Sequence, residues 1–164
     1  MFWVLAISYT IHLIATVVWF GSLLLLALLA WPAFLGQSGA GPDWTGLQKR
    51  LAPWANLSLV LLLITGFVQM TNDTNYNGFL AIDSTWAWAM LVKHIAFVLL
   101  GGITFYVEFS LLPAIDTVQT LAQQRPALAQ TERESLRQRE KRLLSINLAC
   151  ALVILICTAV ATAV

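Results

Sequence analysis

The chain contains two histidines, and both lie inside long apolar segments. His12 follows residues 2–11 of the first apolar segment, and His94 follows residues 86–93 of the third. With a rise of ~1.5 Å per helical residue, both rings would lie roughly 12–15 Å below the same membrane surface. Ionisable side chains at such depths are costly and usually functional. We therefore interpret the two imidazoles as candidate ligands of a haem or metal ion, the alternative being hydrogen bonds to neighbouring backbone or hydroxyl groups.

Several neighbours of the histidines have side chains that suit such a site. Met90 lies one helical turn before His94, and Gly101 lies two turns after it, so these residues share a helical face. Trp19 occupies the position two turns after His12. The helical face of His12 thus carries the large ring of Trp19, whereas the face of His94 carries Gly101, which has no side chain. This asymmetry suits a planar macrocycle, and it also suits ordinary helix packing.

Two charged residues also lie inside the apolar segments. Lys93 is turned about 100° from its neighbour His94, so its stem can extend toward the outer surface. There its charge would meet water, an acidic side chain or a haem propionate. Glu108 lies near the other end of the third segment, at the expected depth of Arg50. Because an unpaired charge is costly in a membrane, we expect a Glu108–Arg50 ion pair.

The composition predicts that membrane-spanning helices position these residues. Of the 164 residues, 59% are hydrophobic and 10% are charged, whereas soluble domains have about 25% charged residues. A span requires about 20 apolar residues, and four segments qualify, at about 2–31, 53–70, 86–112 and 143–163. We expect one all-α domain, a four-helix bundle with an up-down-up-down course, in contact with the lipid bilayer.

The lysines and arginines predict the orientation of this bundle. Except for Lys93, they all lie between the first two segments or within the loop 113–142, whereas the segment 71–85 has none. The positive-inside rule makes the basic loops cytoplasmic, so both termini are expected outside. The pattern "TERE" at 131–134 is typical of a capping box. We therefore expect a helix from there into the fourth span, with Pro126 in the preceding turn.

Three stretches resemble the copper-resistance protein D (CopD) family of four-helix membrane domains. They are "HLIATVVWFGSLLLLALLAWPAF" (12–34), "KRLAPWANLSLVLLLITGF" (49–67) and "LVKHIAFVLLGGITFYVEFSLLPAI" (91–115). The likeness is carried by His12 with "WFG" and "WP", by Arg50 with "TG", and by the Lys93–His94 pair with "LLP". This resemblance implies copper import or handling from the outer side. His12, Met90 and His94 would then be the copper ligands.

The layout is also similar to the HemJ-type protoporphyrinogen oxidases and to membrane haem b cytochromes. The HemJ type has a histidine in the first span and a His/Lys pair in the third. There the histidine precedes the lysine with one residue between, whereas here Lys93 directly precedes His94. The changed order turns the lysine to another face and argues against that oxidase activity.

Three functions remain open from the sequence. The leading hypothesis is an electron-transfer protein with haem b held by His12 and His94, because the first and third spans are diagonal neighbours roughly 11–14 Å apart. Lys93, Gly101 and Trp19 would line that haem, and a quinol or periplasmic protein would exchange electrons with it. The second is copper binding or transport. The third is a cofactor-free subunit of a membrane complex or homo-oligomer. All three imply a multi-pass protein of the inner (plasma) membrane without a nucleic-acid partner.

Overall fold

The computed structural model describes residues 2–34, 44–78, 82–122 and 125–164, and within these ranges every regular element is helical. The elements are α1 (Phe2–Phe34), α2 (Trp44–Thr71), α3 (Thr85–Tyr106), a π-helical turn (Val107–Leu111), α4 (Leu112–Leu121) and α5 (Pro126–Ala163). In these ranges four stretches are long and apolar enough to cross a membrane: Phe2–Trp31, Thr45–Thr71, Thr85–Leu121 and Leu128–Ala163. The predicted all-α architecture of four membrane-length helices is confirmed.

The helices pack as two pairs that meet through α1 and α5. α1 lies along α2, α3 lies along α5, and α1 also contacts α5. No comparable interface joins α1 to α3 in the described ranges, as expected for diagonal neighbours. α2 and α3 are also only loosely joined there. We call the end of the bundle that carries residues 71–78 and the termini the outer end, after the side that the basic residues predict.

Apolar side chains cover both the inside and the outside of the bundle. Leu100 is 1% exposed in a cluster that also contains Trp19, Leu23, Cys150 and Ala151. Leu28, by contrast, is 72% exposed on the side of α1 that faces away from the other helices. In a bilayer such a surface faces lipid, so exposure of leucine there carries no penalty. The lipid-facing surface and the core therefore have the same apolar character.

A change of helical geometry interrupts the third span. α3 begins after Ser84, whose hydroxyl accepts a hydrogen bond from the Ala87 amide at 3.2 Å. At the π-turn the amide of Leu112 donates to the carbonyl of Val107, five residues earlier. Pro113 follows directly, and proline has no amide proton and disturbs the preceding turn of a regular helix. The wide turn accommodates this break and carries Glu108 on its first half.

The segment 113–142 is almost entirely helical in its described part. α5 begins at Pro126 rather than at Thr131. Arg125, the residue at the N-cap position, makes no capping hydrogen bond with its side chain. The predicted capping box is therefore wrong, although the predicted continuity of this helix into the fourth span is confirmed. α2 also begins earlier than expected, at Trp44, and passes through Pro53.

Candidate functional site

A cavity of about 80 Å³ lies at the outer end, between the end of α2 and the start of α3. Met70 contributes from α2, and Met90 and His94 contribute from α3, one turn apart. The remaining lining residues are Tyr76, Gly78, Ile82, Trp86, Ala87 and Leu91. Two methionines and one histidine thus line the same small space.

The chain after α2 folds back to cover this cavity. The amide of Asp73 donates to the carbonyl of Met70, and the amide of Tyr76 donates to the carbonyl of Asp73. The Tyr76 ring then meets Trp86 edge-on, with ring centroids 6.4 Å apart. Gly78 has a φ of 116°, a conformation that side chains with a Cβ rarely adopt. These turns hold Tyr76 and Trp86 in the same apolar cluster as Met70 and Met90.

The hydrogen bond of His94 determines which ring nitrogen is free. Its Nδ1 lies 2.6 Å from the carbonyl oxygen of Met90. Because a carbonyl can only accept, Nδ1 carries the proton and donates it. The other nitrogen, Nε2, therefore keeps its lone pair when the ring is neutral. Histidines that bind metals commonly have this arrangement, in which the second nitrogen is fixed by a backbone carbonyl.

His12 lies in a different environment, against α2. Its Nδ1 is 2.8 Å from Oγ1 of Thr65, and that hydroxyl itself donates to the carbonyl of Leu61 at 2.6 Å. The single hydroxyl proton is thus used, so His12 Nδ1 donates to Thr65 and Nε2 is the unprotonated nitrogen. A Cβ at Gly66 would lie 3.5 Å from Cε1 of His12, an ordinary contact distance, so the ring lies close to the α2 backbone. His12 does not line the outer cavity.

Lys93 faces the inside of the bundle. It is only partly exposed, and it lies within electrostatic range of His12 of α1 and of Cys157 of α5. Whether its stem extends toward the outer surface, one of the sequence-based alternatives, stays a prediction. Lys93 and His94 are adjacent in the chain, but Lys93 lies near His12 and Cys157, whereas His94 lines the outer cavity. The predicted role of Lys93 beside a cofactor stays a prediction.

The surroundings of the histidines give little support to a haem. Trp19 packs into the central cluster with Leu100 and Cys150. An added Cβ at Gly101 would meet nothing within 4 Å, so that position is open, and its predicted role beside a macrocycle stays a prediction. However, the cavity beside His94 has about 80 Å³, whereas pockets for organic ligands have about 300–1,000 Å³. This cavity does not fit a macrocycle, and haem ligation by His12 and His94 remains an untested prediction.

The ligand types available at the outer end favour a soft metal ion. Among the described residues, no group of three or more histidine, cysteine, aspartate or glutamate side chains could hold a metal. The outer cavity instead combines one imidazole with two methionine sulfurs. Cys157 packs against the same apolar cluster as Met70 and Met90. Thioether and imidazole ligands select copper in its monovalent state over hard cations.

Glu108 has a different partner from the one predicted. Asn56 donates from Nδ2 to its Oε2 at 2.6 Å. Within the described ranges the ion pair between α2 and α4 joins Lys49 to Asp116 at 2.6 Å instead. The predicted Glu108–Arg50 pair is therefore wrong. The Asn56–Glu108 hydrogen bond and the Lys49–Asp116 ion pair both connect α2 to the third span near the inner end.

The sequence-based copper hypothesis did not include Met70. Its position at the end of a span was visible in the sequence, but its distance to His94 depends on how residues 71–78 fold back. Glu140 was also missed, because it lies within the charged stretch "REKR". Its spacing of four and seven residues from Leu144 and Asn147 would have placed it on one face of α5 with them.

Comparison with known families agrees with the resemblance noted in two of the three segments, 49–67 and 91–115, and does not cover the first, 12–34. The model of the family described as "Copper resistance protein D" matches residues 46–161, which include nearly all of α2 and the whole of α3, α4 and most of α5. No curated protein and no solved structure matches the chain. Because the family match covers well over half of the 164 residues, this membrane protein belongs to the copper resistance protein D (CopD) family.

Proposed function

We propose that this protein binds a copper ion at the outer end of its membrane domain, as the first step in handling copper at the inner membrane. The observation that carries the proposal is the convergence of Met70, Met90 and His94 on one cavity. Membership of the CopD family supports copper as the metal. Copper here is the cargo of the protein.

The donor set fits Cu(I) in chemical terms. Two thioethers and one neutral imidazole are soft or borderline ligands, which bind Cu(I) well and bind Mg²⁺ or Ca²⁺ poorly. All three ligands are uncharged, so forming the site leaves no carboxylate to be desolvated. His94 is oriented in advance, because its Nδ1 is bound to the Met90 carbonyl at 2.6 Å. The cavity of about 80 Å³ has room for a bare ion and little else.

The ligand set differs in one member from the one that the sequence suggested. Met70 takes the place of His12, whose Nδ1 is bound to Thr65 on α2. The two sets can be separated, since they share Met90 and His94 and differ only in Met70 and His12. His12 thus serves as a built-in control for the proposal.

Cu(I) affinity of the purified protein in detergent tests this proposal. Competition with the chromophoric chelator bicinchoninate, under reducing and oxygen-free conditions, gives the dissociation constant. Met70→Leu and Met90→Leu keep the apolar volume, and each should weaken Cu(I) binding by about 10- to 100-fold. His94→Gln should do the same, whereas His12→Gln should bind Cu(I) like the unchanged protein.

Two results would contradict the proposal. Unchanged Cu(I) affinity in both methionine variants would exclude the outer cavity as the site. Haem bands in the absorption spectrum of the purified protein, lost in both His12→Gln and His94→Gln, would instead support haem b and an electron-transfer function. A colourless protein that binds Cu(I) through Met70, Met90 and His94 is the expected result.

A further inference from the structure

A second cavity, of about 100 Å³, lies in the inner half of the bundle. We call it the inner cavity. All four spans line it, and its polar lining residues are Ser22, Gln48, Asn56, Thr104, Glu108, Glu140 and Asn147. The apolar cluster around Trp19 and Leu100 separates its polar groups from the outer end. Its volume corresponds to about three water molecules at ~30 Å³ each.

Three oxygen atoms in this lining are buried without a hydrogen-bond partner among the described residues. They are Oε1 of Gln48, Oε1 of Glu140 and Oδ1 of Asn147. Glu140 is 5% exposed and Asn147 is 9% exposed. All three atoms are acceptors, and buried polar atoms in proteins are rarely left unpaired. What they lack is therefore a proton donor or a positive charge.

The other polar groups of the inner cavity do not supply what is missing. The hydroxyls of Ser22 and Thr104 donate to backbone carbonyls within their own helices. Asn56 donates to Glu108. The lining contains two carboxyl groups, those of Glu108 and Glu140, and no lysine, arginine or histidine.

Two nearby lysines, on α5 and α2, make contacts elsewhere. Lys141, next to Glu140 in the chain, lies over the Trp31 ring with its Nζ 5.9 Å from the ring centroid. Lys49, next to Gln48, pairs with Asp116. Neither charge is directed at the inner cavity. A buried carboxylate without a counter-charge is strongly unfavourable, so Glu140 requires either a proton or a bound cation in this cavity.

We propose that the inner cavity binds a hard metal cation of the alkali or alkaline-earth class. Carboxylate and amide oxygens from Gln48, Glu108, Glu140 and Asn147 would be its ligands, since hard cations prefer oxygen atoms and Ca²⁺ binds six to eight of them in a flexible geometry. Glu108 lies on the π-turn, and π-turns inside helices occur frequently at functional sites. The bound ion would connect α2, the third span and α5 at the inner end.

This inner site is chemically distinct from the outer cavity. Its oxygen ligands select hard cations, whereas the methionine sulfurs of the outer cavity select Cu(I). The two proposals can therefore fail separately. Met90→Leu should impair Cu(I) binding and leave the inner cation site unchanged.

Isothermal titration calorimetry of the full chain in detergent tests the inner site. The protein is first treated with a chelator, exchanged into a buffer of bulky organic cations and then titrated with CaCl₂, MgCl₂, NaCl and KCl in separate experiments. We expect saturable binding of one ion per chain for at least one of these salts. Glu140→Gln keeps the shape of the side chain and removes its charge, and should weaken that binding by roughly tenfold or more.

The matched control is Glu132→Gln, which removes an exposed carboxylate from the same helix and should bind the cation like the unchanged protein. Gln48→Ala removes a ligand on α2 instead and should also weaken binding, which keeps the test informative if Glu140→Gln does not fold. Absence of saturable binding for all four cations would overturn the proposal. So would equal affinity of Glu132→Gln and a folded Glu140→Gln variant, since the inner cavity would then hold water or a protonated carboxyl group.

Discussion

Replacing Leu100 by alanine tests the arrangement of the helices that creates both cavities. Leu100 is 1% exposed and packs with Trp19, Leu23, Cys150 and Ala151 between the outer and inner cavities. Leu28→Ala is the matched control, because Leu28 is 72% exposed on the surface of α1. Both substitutions remove the same atoms, and they differ only in what those atoms contact.

The expected loss of stability follows from the membrane environment. In soluble proteins a buried leucine replaced by alanine costs about 2–5 kcal/mol, which includes transfer from water and the cavity left behind. Transfer of the side chain accounts for about 1.5–3 kcal/mol of this. In a bilayer that part is absent, because lipid is as apolar as the core. The lost packing remains, so Leu100→Ala should lower the free energy of unfolding by about 0.5–2 kcal/mol, and Leu28→Ala should change it by less than about 0.5 kcal/mol.

Unfolding in lipid–detergent bicelles with increasing dodecyl sulfate, followed by circular dichroism, measures this difference. Retention of Cu(I) binding in the Leu100→Ala variant would show that the bundle still forms. An equal effect of Leu28→Ala and Leu100→Ala would refute the reasoning, because Leu100 would then face the same surroundings as a lipid-exposed side chain.

Two further predictions concern His12 and the orientation of the bundle. Thr65→Val removes the acceptor of the His12 Nδ1 proton and should lower the free energy of unfolding by about 0.6–1.7 kcal/mol. Unchanged Cu(I) affinity in the same variant would agree with a copper site that excludes His12. A cysteine introduced in place of the exposed Glu132 should react with an impermeant maleimide only in permeabilised cells, and labelling of intact cells would contradict the predicted cytoplasmic side of 113–142.

The helical pairing and the partners of buried polar groups could not be predicted from the sequence. The apolar spans carry hydrophobic residues on all sides, so no amphipathic pattern indicates which side faces the core. Glu108 illustrates the consequence, since it binds Asn56 rather than Arg50. These two residues of α2 lie six positions apart, so a rotation of α2 decides between them. The π-turn before Pro113 likewise changes the direction in which Glu108 points.

The sequence by itself determined the membrane class and the four spans, because these depend on the length and content of apolar segments. The resemblance to the CopD family came from short motifs around Arg50 and the Lys93–His94 pair. The sequence also determined that Met90 and His94 share a face of α3, since that follows from helical periodicity. Only the tertiary structure brought Met70 to the same cavity, because the chain at 72–78 must fold back between two helices. The tertiary structure also turned Lys93 toward His12 and buried Glu140 beside Asn147. The physical reason is that the rotation of each helix about its axis is set by packing between spans, and local sequence does not encode it.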